Sequence, residues 1–438
     1  MVESNNENRH VARESRRTFL RSSSVAAIGS SLASDFATSR DVHAAGSDEI
    51  RIGLVGCGGR GAGAAFQALT ADPQTRLVAV ADAFPDRMIS SLSALSSKDD
   101  ISKQVTVDAD HQFVGFDGYR HVIESDVDVV LLATPPHFRP IHLRAAVEAG
   151  KHVFVEKPVA VDGPGIRSVI ESGEMARKKN LCVVSGLNGR FSPQSQEMMQ
   201  RIHDGAIGEI TALHAVRNGD GVWVRPREPG MTEMEYQMRN WYYFTWLSGD
   251  FNVEMFIHQY DELAWAMQDE PPISCYGTGG RQVRTGEMYG HIYDHFSTVF
   301  EYASGARAFT TTRHFPGCGY VIDAFVMGTK GTAFLGRNPR IIGESAWQPP
   351  RTRERDSHQL EQDAFFTALR EGRTINNTDY MAKSTMMAIL ARMSSYTGQT
   401  LTWEQGIQSQ QDLSPSSYSW DGIPTEAVVA IPGVTKFS

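Results

Sequence analysis

The chain has 438 residues, 41% hydrophobic and 21% charged, the proportions of a folded protein too long for one ordinary core. A net charge of −9, with no basic run beyond the N-terminus, argues against nucleic acid as a partner. Four scattered cysteines, Cys57, Cys182, Cys275 and Cys318, form no C-x-x-C pair, which sets aside a zinc knuckle and a disulfide framework.

Residues 1–47 read as a signal and linker outside the fold. Ser15-Arg16-Arg17-Thr18-Phe19-Leu20-Arg21 has the twin-arginine export pattern, followed by a mildly apolar stretch over 25–33 and small residues near Ala44-Ala45. The expected location is periplasmic or otherwise exported. The alternative is a polar tail with a chance Arg-Arg pair on a cytoplasmic protein. No apolar run approaches the length of a membrane span, so none is expected after signal removal.

Residues 50–82 read as a nucleotide-binding unit. A short apolar run, Ile50, Ile52, Leu54 and Val55, breaks into Gly56-Cys57-Gly58-Gly59-Arg60-Gly61, and apolar residues restart at helical spacing over 62–69. The glycines allow a tight turn, close approach of a pyrophosphate and tight helix–strand packing, and the helix N-terminus offers N–H groups to phosphates. A second strand over 77–81 ends in Asp82, where an acid binds a ribose 2′-hydroxyl and repels a 2′-phosphate, so NAD is expected rather than NADP.

Strands and helices keep alternating to about residue 188: strands over 127–133, 152–155 and 181–185, helices over 141–149 and 166–179. That alternation predicts an α/β, Rossmann-type, doubly wound parallel sheet over 48–188. Glu156-Lys157-Pro158 closes the strand at 152–155, at the carboxyl end where open sheets of this kind bind ligands. His137 and His142 follow Pro135-Pro136, where packing or cofactor positioning is expected.

Beyond residue 188 the period changes to two, with strands over 209–216, 292–302, 306–313, 320–327 and 332–335. An α+β domain with an open, mostly antiparallel sheet is expected over 189–396, with amphipathic helices over 358–370 and 382–396. A tail over 397–438, rich in Gln, Ser, Gly and Pro, is expected to wrap the surface. Arg239-Asn240-Trp241-Tyr242-Tyr243 is dense in polar-tipped aromatics, so Arg239 and Trp241 are candidates for substrate contact. In 289–295, His291, Tyr293 and His295 would share a strand face; Tyr293 is a candidate substrate residue, and a metal site there is disfavoured because Asp294 points the other way. Trp223, Trp246 and Trp265 read as core.

The glycine loop, Asp82, Ala133-Thr134-Pro135-Pro136, Ala149-Gly150-Lys151-His152-Val153-Phe154-Val155-Glu156-Lys157-Pro158 and the Gly328-Thr329-Lys330-Gly331 turn together resemble the glucose–fructose oxidoreductase / inositol dehydrogenase / MocA family of NAD(P)-dependent oxidoreductases. The resemblance spans residues 48–396. It implies that the loop residues Gly56 to Gly61, Asp82, Thr134, Pro135, His137, Glu156 and Lys157 meet the cofactor, and that Lys157 faces the nicotinamide and the reacting carbinol. It also implies an acid, a His four residues on and then an Asp on a helix of the second domain, matched here by Glu254, His258 and Asp261. Spacing of i, i+4 puts Glu254 and His258 on one helical face. His258 is the expected base, Lys157 would stabilise alkoxide character, Glu254 would assist, and Asp261 would contact substrate. Homo-oligomerisation through the open sheet is a further implication.

These residues lead to an exported NAD-dependent dehydrogenase of a sugar, cyclitol or glycoside, with NAD either exchanged or held through the cycle and no metal. Two alternatives stay open. One is an NAD-dependent glycosidase working by transient oxidation and elimination; the other is a non-catalytic dinucleotide-binding protein.

Overall fold

In the computed structural model, which describes residues 48–336, 338–350, 355–424 and 426–437, the first half builds a six-stranded sheet. Its strands are β1 (Ile50–Val55), β2 (Thr75–Asp82), β3 (Gln112–Val114), β4 (Val129–Leu132), β5 (His152–Val155) and β6 (Val183–Ser185). The expected export signal and linker, 1–47, lie outside the described residues. All pairings are parallel, in the order β3-β2-β1-β4-β5-β6. Helices cover both faces, which is why β4 is buried at every position and reads as an unbroken apolar run. The chain reverses direction of travel across the sheet between β1 and β4, and the glycine loop leaves β1 at that switch point. The doubly wound parallel sheet is therefore as expected. β3 was not, because three residues carry no period.

The second sheet has eight strands: β7 (Ile210–Gly219), β8 (Ser274–Gly280), β9 (His295–Glu301), β10 (Arg307–His314), β11 (Val321–Gly328), β12 (Gly331–Phe334), β13 (Arg340–Gly343) and β14 (Leu401–Thr402). They lie in the order β13-β12-β11-β7-β10-β9-β8-β14 and are antiparallel throughout except for β7 beside β10. Burial alternates strictly along most of β10, so one face is core and the other is open. Leu213, Ala215, Phe300 and Ala308 of the inner face pack with Tyr260 and Leu263 of the helix Ile257–Ala266 and with the helix Thr378–Thr397. The latter helix also packs on the helix Gly163–Lys178, tying the two sheets into one body that begins at Asp48.

The tail begins with structure of its own. β14 closes the sheet edge against β8, and Thr402 and Gln405 form a capping box at the start of the helix Trp403–Gln408. It then crosses to the first half, where the Leu413 N–H donates to Asp162 Oδ2 at 3.1 Å.

Candidate active site

β1 ends at Gly56, whose φ of +96° suits glycine, and a Cβ there would lie 2.6 Å from the Ala133 and Thr134 backbone. Gly61 is tighter still: its Cβ would fall 1.8 Å from the Gly56 carbonyl oxygen. These two contacts seat the helix Gly59–Ala71 directly on the end of β1. Gly58 and Gly59 face no heavy atom within 4 Å, leaving room for a ligand backbone, and no side chain caps the helix at Gly58. Asp82 at the end of β2 accepts from the Cys57 N–H at 2.6 Å and from the Phe84 N–H at 2.9 Å, and burial raises its carboxyl pKa.

These groups line a cavity of about 490 Å³. Gly56, Gly58, Gly59, Arg60, Asp82, Thr134 and Pro135 all contribute to its wall. The open glycines, the helix end and the acid fit an NAD pyrophosphate and ribose. Cys57 takes part through its backbone alone; its side chain is buried behind the loop. Glu156, also buried, forms an ion pair with Arg60 at 2.7 Å and so steadies the loop from behind. His137 is a correction. It is absent from the cavity wall, its Nε2 lies 2.8 Å from Tyr418 Oη of the tail, and burial lowers its pKa to about 4, making it a neutral packing residue.

The expected single helix carrying Glu254 and His258 is also corrected. Gly249 and Asp250 have φ of +76° and +81°, and only one turn, Phe251–Glu254, follows them. The N–H groups of Met255 and Phe256 both reach back to the Phe251 carbonyl, at 2.9 and 3.3 Å, and a new helix starts at Ile257. The wide turn leaves the Glu254 carbonyl to Lys157, whose Nζ donates to it at 2.8 Å and to Glu254 Oε1 at 3.1 Å. The side chains of this pair are 15% and 12% exposed. Glu254 thus orients Lys157 rather than His258. His258 stands on the first turn of the next helix; burial, then the Lys157 and Arg217 cations, hold its pKa well below 6.5, so the ring is neutral. Arg217 on β7 and His358 on the helix Ser357–Arg370 act on His258 and were not anticipated, since nothing in their local sequence marks them.

Four substrate candidates lie elsewhere. Asp261 is buried against Arg190, accepting from Nε at 3.0 and 3.1 Å, and takes a third bond from Ser384 Oγ at 2.8 Å. Its carboxylate is consumed by this ion pair. Tyr293 precedes β9, is 2% exposed, and donates to the Ala430 carbonyl at 2.9 Å, so it anchors the tail. Arg239 and Trp241 line the cavity of the glycine loop, away from Lys157 and His258, which are not in its wall. Trp223, expected in the core, is 41% exposed and lines the same cavity, whereas Trp246 is core as expected. Asp294 accepts from the N–H groups of Gln282, Val283 and Arg284, and among the described residues no group of His, Cys, Asp and Glu could hold a metal.

Comparison with known proteins agrees with this geometry. Residues 50–187 match the model of an oxidoreductase family with an NAD-binding Rossmann fold, and residues 195–334 match the model of the GFO/IDH/MocA C-terminal domain. An inositol 2-dehydrogenase of Rhizobium meliloti (strain 1021) is 27% identical over 339 residues, covering 74% of this chain and 90% of that protein. Two solved structures share the fold. An aldose-aldose oxidoreductase from Caulobacter crescentus, complexed with glycerol, has a TM-score of 0.62 at 17% identity, covering 81% of this chain and 99% of its own. A levoglucosan dehydrogenase in complex with NADH and levoglucosan has a TM-score of 0.60 at 20% identity, with the same coverage.

Proposed function

The chain belongs to the GFO/IDH/MocA family of NAD-dependent oxidoreductases acting on CH–OH groups, and from that premise we propose that its substrate is a secondary alcohol of a cyclitol, sugar or glycoside, met by Lys157 and His258. Bound NAD supplies the hydride acceptor. Lys157, held by two acceptors of Glu254, donates to the carbinol oxygen and stabilises its developing negative charge. His258, kept neutral by burial and adjacent cations, takes the hydroxyl proton on a ring nitrogen. Glu254 is a positioning residue, fixing the ammonium so that it needs no reorganisation as charge develops. The observation that carries this reading is a cation fixed by two acceptors of Glu254, whose charge helps to keep the His258 imidazole in its basic form.

The test is to purify the protein, add NAD and follow reduced nicotinamide while inositols, monosaccharides and aryl glycosides are supplied singly. Substrate-dependent NADH formation is expected. Aglycone release from an aryl glycoside without net NADH would replace the dehydrogenase with the redox glycosidase, and a protein that binds NAD yet leaves every alcohol unchanged would be a binding protein.

We also propose that the chain self-associates through the open sheet face. Tyr276, Val299, Phe309, His214, Phe325 and Phe334 form one in-register row across β8, β9, β10, β7, β11 and β12. Phe309 and Tyr276 are 41% and 40% exposed, and a strip that is apolar or aromatic at every position but His214 marks an interface. Phe309→Asp is expected to convert the protein to monomers in sedimentation velocity; an unchanged sedimentation coefficient would place any interface elsewhere.

A further inference from the structure

The cavity beside Asp82 has a wall that the first half of the chain does not supply. Trp223, Arg225, Met238, Arg239 and Trp241, all from the second half, line it together with the glycine loop. The two indoles lie 5.9 Å apart, and the Arg225 guanidinium stands 5.6 Å from the Trp223 ring. The Arg225 N–H is tied to Asn240 Oδ1 at 2.9 Å, so the two ends of this wall are joined to each other.

Arg239 fastens the wall to the floor. Its Nη1 and Nη2 reach the two carboxylate oxygens of Asp86 at 3.3 and 3.2 Å, across 153 residues of sequence. Its guanidinium also lies 4.0 Å over the ring of Phe84, and its Nε is held by Glu235 Oε1 at 3.1 Å. Phe84 and Asp86 lie two and four residues after Asp82, whose Oδ1 accepts the Phe84 N–H. Phe84 is gripped from another side by Trp420 of the tail, at 5.1 Å between ring centroids. A fork-shaped cation with two carboxylate contacts and an aromatic face is a stronger tie than a lone surface pair.

We propose that segment 223–241 is the outer wall of the adenosine end of the NAD site, and that the Arg239–Asp86 bridge governs how fast NAD leaves. The inference rests on the assignment of the cavity to NAD. Asp82 sits where the adenosine ribose belongs, so a wall facing it meets the adenine and ribose rather than the reacting carbon. Indoles and guanidinium planes suit the face of a purine. With the bridge closed, wall and floor are held together at the adenosine end, and release of NAD is slowed.

The experiment is stopped-flow displacement of NADH by excess NAD, read as loss of energy transfer from protein tryptophan to bound NADH, a signal that needs no substrate. Arg239→Ala removes both the bridge and the contact with Phe84 and is expected to speed release about tenfold. Asp86→Ala removes the half-exposed partner and should speed it about two- to five-fold. The double variant should release NADH no faster than Arg239→Ala, because both changes open one bridge. The charge-swapped pair Asp86→Arg with Arg239→Asp should be slower than either of its single substitutions, which distinguishes a bridge from damage to the fold. Release at the wild-type rate in both alanine variants would overturn the proposal. A wild-type protein showing no energy transfer with NADH at all would instead overturn the cofactor assignment on which it stands.

Discussion

Replacing His258 by glutamine is expected to lower kcat by about 10²- to 10⁴-fold while leaving NADH affinity unchanged. Glutamine keeps a polar side chain at the first turn of the helix Ile257–Ala266 but cannot accept the hydroxyl proton as a base. The sign of the pH dependence follows from the site. Burial and the Lys157 and Arg217 cations oppose a charge on the ring, so its native pKa lies well below the unperturbed 6.5. The base is neutral and active above that depressed pKa, and kcat/KM should fall only as pH drops through it. The acid limb of the profile should therefore have its midpoint below 6.5 in the wild type and vanish in His258→Gln. The same shift works against stability: below pH 6.5 the unfolded chain takes up a proton that the native ring refuses, so this group costs stability as pH falls. An acid limb centred above 6.5, or one that survives the substitution, would remove His258 from the role of base.

What could be read from the sequence was local and contiguous. Strand, glycine loop, helix, strand and Asp82 occupy a little over thirty adjacent residues, and each step is dictated by its neighbours, so the cofactor cradle was legible in advance. The misassigned residues depend on partners far away in the chain. Asp261 resembles a substrate ligand until Arg190, 71 residues earlier, is brought against it. Tyr293 lost its candidacy to the carbonyl of Ala430, 137 residues later. Arg239 belongs to the cavity beside Asp82 because of Asp86, 153 residues before it. The break between Glu254 and His258 had a different cause. Helical spacing assumes an unbroken helical ladder, and here the N–H groups of Met255 and Phe256 both turn back to the Phe251 carbonyl, at residues whose types signal no interruption. That break matters chemically, since a continuous helix would have used the Glu254 carbonyl internally and denied Lys157 its closest acceptor.

The glycine loop offers the second large effect. Gly61→Val is expected to reduce NAD affinity by more than about 100-fold, because a Cβ at this position would sit 1.8 Å from the Gly56 carbonyl oxygen and 3.3 Å from Ala133 Cβ. The first obstacle is backbone, so no rotamer change relieves it, and the helix Gly59–Ala71 must move off β1, carrying the phosphate-facing N–H groups with it. Overpacking of this kind costs about 1–3 kcal/mol, which should also appear as a lowered melting temperature. Gly59→Ala separates the two consequences. Its Cβ meets no protein atom within 4 Å, and alanine in the first turn of a helix does not destabilise it, so the melting temperature should hold or rise. Its methyl group nevertheless occupies space over the loop where the pyrophosphate approaches, and NADH affinity by fluorescence titration should still fall. Loss of affinity in both variants, with loss of stability in Gly61→Val alone, assigns the loop to the pyrophosphate. Retention of wild-type affinity in Gly59→Ala would mean that the dinucleotide does not approach from the open side of the loop.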